Sequence, residues 1–180
     1  DTQTIGKSEK FTIDFQASTD IEILVKENQK AKAEMLKEGS YDPSTLQFGW
    51  NVTYKHGVAN DATLPLTIVD TFSTNEHIFV DGSLTINGQS AIEGKDYTRE
   101  MNGNDQIIRV QVTDTLVAND QIDIQYKTRL TDENITTPNV QVNNTVFLED
   151  AVQKEVTGTR KNASATANGA RDWMSKTGKH

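Results

Sequence analysis

A period-two alternation of apolar and polar residues recurs along most of this chain and restricts its fold more than any other feature. It runs through residues 48–54, 64–72, 83–86, 107–112, 121–130 and 140–148. Successive side chains on a strand point to opposite faces, so each run has one apolar side and one wet side. Turn formers separate the runs: His56-Gly57, Asp81-Gly82, Asn87-Gly88, Asn102-Gly103-Asn104-Asp105 and Asn119-Asp120. Strands and turns at this spacing, without a convincing helical period, predict an all-β sandwich of antiparallel strands.

Two of the runs carry a polar residue on the apolar side. Asp70 shares its face with Leu64, Leu66, Ile68 and Phe72, and Asn144 shares its face with Val140, Val142, Val146 and Leu148. A carboxyl or amide buried without a partner costs several kcal/mol, so each must meet another polar group inside. The ordinary role of such residues is to satisfy backbone groups at bulges and strand ends. A reaction between them and a third group is the alternative. Trp50 alternates with Val52 and Tyr54 and is expected in the core.

Composition removes several classes of function. Cysteine is absent, so disulfides, thiolate metal sites and cysteine nucleophiles are excluded. A net charge of −8 with interspersed signs argues against a phosphate-backbone partner, which needs clustered Lys and Arg. No stretch approaches the roughly 20 apolar residues of a membrane span, and the first residues lack a signal-peptide profile. His56, His77 and His180 are scattered without metal-ligand spacing, and the Asp/Asn-rich turns lack the spacing of a calcium loop. Neither a metal nor any other cofactor is expected. No serine-histidine-acid set or phosphate-cradling glycine loop appears, so the chain reads as a non-enzyme.

Toward the ends the pattern weakens. Residues 11–25 give short strand-like stretches, and residues 26–38 have the composition of a helix or charged linker. After Asp150 the chain turns to Lys, Thr, Ala, Asn and Gly, which cannot close a core alone and reads as a linker or an outer strand. The expected organisation is therefore a segment 1–34 that could end a preceding repeat, a sandwich at 35–150, and an extension or next unit at 151–180. The pentapeptide from Met35 to Gly39 has an echo from Met174 to Gly178, as a tandem array would produce. A start at Asp1 and an end in a Lys/Gly run fit an excised piece of something longer.

The stretches LKEGSYDPSTLQFGWNVTY, LPLTIVDTF, IDIQYKTRLTDE and VNNTVFLED, in that order, resemble the collagen-adhesin type B domains of Gram-positive cell-wall-anchored adhesins and pilins. The resemblance covers roughly residues 35–150. It implies an Ig-like sandwich in which a lysine on the first strand forms an intramolecular isopeptide bond with an asparagine on the last, promoted by an acid in mid-sheet. By position the lysine is Lys37, the acid Asp70, and the acceptor Asn144 or Asn143. Strand parity favours Asn144, which shares its face with Val142 and Val146, whereas Asn143 sides with Gln141 and Glu149.

Chemistry accommodates these roles. A lysine amine attacks an amide only when neutral, and burial beside aromatic residues such as Trp50 or Phe72 lowers its pKa. A buried Asp70 stays protonated and could donate a hydrogen bond to the asparagine carbonyl. The reaction happens once, so it is self-modification and not turnover. The resemblance further implies an extracellular location, cell-wall anchorage through a part of the parent protein outside this chain, and neighbouring repeats as partners. A host matrix protein such as collagen or fibrinogen, gripped between domains with 151–180 as a latch, is the alternative function, and a carbohydrate-binding sandwich a third.

Overall fold

The structure, a computed structural model, describes residues 32–58 and 62–168. In chain order the strands are β1 (Glu34–Asp42), β2 (Gln47–Lys55), β3 (Thr67–Ser73), β4 (His77–Phe79), β5 (Thr85–Ile86), β6 (Gln89–Ser90), β7 (Thr98–Asn102), β8 (Asp105–Gln111), β9 (Gln121–Leu130), β10 (Val140–Glu149) and β11 (Lys161–Ala167). Among the described residues there is no helix. One sheet runs β1-β2-β9-β5-β6, with β4 also on β9, and the other runs β11-β10-β3-β8-β7. Every pairing between these strands is antiparallel. The result is the expected all-β, Ig-like sandwich.

Alternation explains which faces meet. β2 buries Phe48, Trp50, Val52 and Tyr54, and β9 buries Ile122, Ile124, Tyr126, Thr128 and Leu130 beside them. The facing sheet contributes Ile68 and Phe72 of β3, Ile108 and Val110 of β8, and Val142, Val146 and Leu148 of β10. At roughly 1.5–3 kcal/mol for each large apolar side chain removed from water, these two inward faces supply the drive to stack.

Several boundaries differ from the sequence reading. Residues 34–38, read there as part of a helix or charged linker, begin strand β1. Glu, Met, Leu and Lys all favour helices, but propensity yields here to a full antiparallel ladder with β2, from Glu34 opposite Lys55 to Asp42 opposite Gln47. The charged residues Glu34 and Glu38 point outward, while Met35 points in. The run expected to begin at Leu64 enters its strand only at Thr67, and Leu64 itself is exposed.

Beyond Asp150, Lys161–Ala167 pairs along β10 from Val146 to Val140, so the sandwich extends past the boundary expected at 150. Its small residues Ala165 and Ala167 are buried. An alternation built on alanine carries almost no hydropathy contrast, which is why the strand is quiet in the sequence. Short β4 and β7 were likewise not expected. The strand-like stretches at 11–25, the repeat echo at Lys176, and His180 lie outside the described residues.

Two glycines have specific tasks. A Cβ on Gly39 would lie 2.4 Å from Cζ3 of Trp50, so only glycine lets that indole lie across β1. Between β5 and β6, Asn87 and Gly88 both take positive φ (51° and 79°), as a two-residue hairpin turn demands.

Candidate functional site

Strand parity turns Lys37 of β1 inward, and its side chain is fully removed from solvent. Its Nζ contacts Oδ2 of Asp70, which β3 presents from the opposite sheet. Tyr126 of β9 donates its O–H to the other carboxylate oxygen, Oδ1, at 2.8 Å. Asn144 of β10 in turn donates from Nδ2 to the Tyr126 hydroxyl oxygen at 2.6 Å. The four polar groups form one chain of contacts, Lys37–Asp70–Tyr126–Asn144, across the middle of the sandwich. Asp70, Tyr126 and Asn144 are each at most 4 % exposed, so water does not screen them.

The Asn144 carbonyl oxygen is buried and has no hydrogen-bond partner. A direct bond from Asp70 to that carbonyl, the arrangement expected from sequence, is therefore not the one found: Tyr126 stands between them. The physical reason lies in the phenol. Its single proton goes to Asp70, so its oxygen can only accept, and that selects the N–H end of the Asn144 amide.

The surround is aromatic. Lys37 Nζ lies 5.7 Å from the ring centroids of both Trp50 and Tyr126. Phe72 stacks on Tyr126 with centroids 6.1 Å apart and tilts against His77 at 4.5 Å. Asn143, the alternative acceptor, has the opposite parity and is exposed, and its described bonds are made by its backbone, to Glu76 and His77. Asn144 lies on the penultimate described strand and not the last, since β11 follows it.

Electrostatics follow from dryness. Burial pulls the Lys37 amine below its ordinary pKa, and the opposing attraction of Asp70 offsets this only in part. Burial pushes the Asp70 carboxyl upward, against the pull of Lys37 and Tyr126. Both shifts favour a neutral amine beside a neutral acid. The Tyr126 hydroxyl is held well above the usual phenol range, first by burial and then by Asp70, so it keeps its proton.

His77 and Thr128 form a second buried layer that sequence reasoning missed. Trp50 Nε1–H donates to Thr128 Oγ1 at 2.8 Å, and the Thr128 hydroxyl pairs with His77 Nδ1 at 2.7 Å. His77 Nε2 lies 3.2 Å from the Asn143 carbonyl oxygen. This pattern suits a neutral imidazole protonated on Nε2, and burial drives its pKa down to about 4. The layer fixes the indole that faces Lys37.

Tyr126 was missed as well, although a signal existed. On the alternation Ile122, Ile124, Tyr126, Thr128, Leu130 it falls on the apolar face, and a buried phenol needs a polar partner. Among the described residues no cluster of three or more His, Asp or Glu side chains could hold a metal ion.

No family model and no curated protein matches the chain. Among solved structures it is similar to the collagen-binding domain of a Staphylococcus aureus adhesin, with 15% identity over 74% of this chain and 97% of that one and a TM-score of 0.46. It is also similar to the collagen binding domain of an Erysipelothrix rhusiopathiae surface protein, with 19% identity over 75% of this chain and a TM-score of 0.48. A third is the major pilin subunit of Bacillus cereus, with 8% identity over 73% of this chain and a TM-score of 0.48. The chain spans 46% and 40% of the latter two.

Proposed function

We propose that this chain is a structural and adhesive module of a bacterial surface protein, hardened by an autocatalytic amide bond between Lys37 and Asn144. The observation that carries the reading is a lysine side chain with no access to water, in contact with a buried acid whose other oxygen leads through one phenol to a buried asparagine. A surface ion pair needs none of this, and a purely structural buried pair would not require an amide with a bare carbonyl oxygen. In the proposed step Lys37 Nζ bonds to Cγ of Asn144, the Cγ–Nδ2 bond breaks, and ammonia leaves.

Lys37 stands on one sheet and Asn144 on the other, so the bond would rivet the two layers of the sandwich together. In a chain without cysteine it does the work of a disulfide and resists reduction. The protein modifies itself once and turns nothing over. Its setting in this reading is extracellular, its immediate partners are neighbouring modules of the same parent, and a host matrix protein is the ligand class such a surface would meet.

Intact-mass measurement tests the reading directly. The expected mass is lower than that of the sequence by one ammonia, and peptide mapping places the linkage between the peptides of β1 and β10. The full sequence mass refutes it.

A further inference from the structure

Tyr126 is the one polar group in the buried chain to which the cross-linking reaction assigns no task. An interior tyrosine is satisfied by a single hydrogen bond, yet this one has two, and each goes to a group that would react. The described side-chain bonds of Asp70 end at Lys37 and Tyr126, and the hydrogen-bonded route from Asp70 to the Asn144 amide nitrogen runs through the phenol. Packing fixes that route in place: the Tyr126 ring lies between Phe72 at 6.1 Å and Phe79 at 5.6 Å, centroid to centroid.

We propose that Tyr126 is a catalytic residue of this reaction, the acid that passes a proton to Nδ2 of Asn144 as ammonia departs. The proposal rests on the self-cross-linking reading and deepens it. The protons balance as follows. Lys37 gives one proton to Asp70, leaving a neutral amine and a neutral acid. The amine lone pair attacks Cγ, the carbonyl electrons move to Oδ1, and Cγ becomes tetrahedral.

Only then does Nδ2 become basic, since its lone pair is no longer shared with the carbonyl. The two bonds to the phenol now reverse: the Asp70 carboxyl, protonated by Lys37 on Oδ2, turns about its Cβ–Cγ bond so that this O–H donates to the Tyr126 oxygen, and Tyr126 O–H donates to Nδ2. Asp70, again a carboxylate, takes the second proton from the former lysine nitrogen. The Cγ–Nδ2 bond breaks, the carbonyl re-forms, ammonia leaves, and Asp70 ends protonated. No outside acid, base or oxidant enters. Phenol and carboxyl alternate as donors, and the site can do this while dry.

The test is cell-free synthesis of the chain, with intact mass followed against time for wild type and Tyr126→Phe. Phenylalanine keeps the ring between Phe72 and Phe79 and deletes only the hydroxyl. General acid catalysis is worth roughly 10²–10⁴-fold, so the variant should fold to the same β signature yet lose ammonia at least about a hundredfold more slowly. A variant that converts at the wild-type rate overturns the role of Tyr126 and leaves the cross-link standing. A wild type that never loses ammonia overturns both.

A second arm replaces Tyr126 with fluorinated tyrosines of graded acidity, which keep both the hydroxyl and the packing. Proton donation in the rate-limiting step makes the conversion rate follow phenol acidity, and a hydroxyl that merely packs gives none of this dependence. Should the phenylalanine variant not fold, this series decides: a graded rate supports the assignment, and a flat one refutes it.

Discussion

Replacing Lys37 with Met isolates what the proposed bond contributes to stability. Methionine is unbranched and polarizable, so it can occupy the pocket between Trp50 and Tyr126 while removing the nucleophile. The bond closes a loop of about a hundred residues, and the chain-entropy estimate for such a loop is roughly 4–5 kcal/mol. For a domain of this size each kcal/mol moves Tm by about 3–5 °C, so the variant should melt roughly 12–25 °C lower. Loss of the nitrogen that contacts Asp70 adds a local cost of about 1–3 kcal/mol, kept small because burial already favours a neutral Asp70 that Tyr126 continues to hydrogen-bond.

The two contributions separate in guanidinium denaturation. A cross-link restrains the unfolded chain, so wild type should expose less surface on unfolding and show a smaller m-value than the variant. A local packing defect lowers the midpoint and leaves m alone. Asn144→Ala should reproduce the larger m-value, because it removes the same covalent loop. An m-value shared by wild type and both variants, even with a lower Tm, would refute the argument that a covalent loop stabilises this fold.

Other expectations follow from the same geometry. Asn143→Ala should still lose ammonia, since that side chain is exposed and its described bonds are from the backbone, and an unreacted mass would transfer the acceptor role to Asn143. Gly39→Ala should destabilise by about 1–3 kcal/mol through the clash with Trp50 and lower the cross-linked fraction, read by melting and mass together. His77 gives a pH dependence of definite sign. Its folded pKa of about 4 lies below the unfolded value of 6.5, so protons favour the unfolded chain. The stability it confers is complete above the unfolded value and is lost as pH falls toward the folded one, about 3 kcal/mol in all. His77→Phe should flatten that part of the stability profile, and an unchanged slope in melts across the window would contradict a buried neutral imidazole.

Strong period-two runs wrote much of this molecule into its sequence. The alternations through Trp50, Ile68, Ile124 and Val142 determined that these segments are strands and which side of each faces inward, because a one-residue slip would expose every apolar side chain at once. Parity alone therefore placed Asp70 and Asn144 inside and Asn143 outside. β1 escaped because its composition favours a helix, and β11 because alanine gives no contrast. Both are held by antiparallel ladders with a strongly alternating chain neighbour, β2 and β10 respectively, and such pairing energy belongs to the assembled sheet rather than to the segment's own composition.

Which polar groups meet was beyond the reach of any strand read by itself. Lys37 and Tyr126 belong to one sheet, Asp70 and Asn144 to the other, and only stacking the sheets sets a phenol between acid and amide. Periodicity reports direction along a single strand, whereas contact across a sandwich depends on strand order, register and the space left by neighbouring rings. The sequence determined the strongly alternating strands, their inward faces and the burial of a carboxyl and an amide. Tertiary structure decided that they communicate through Tyr126, because a distance between two sheets is a property of their packing and of no one segment.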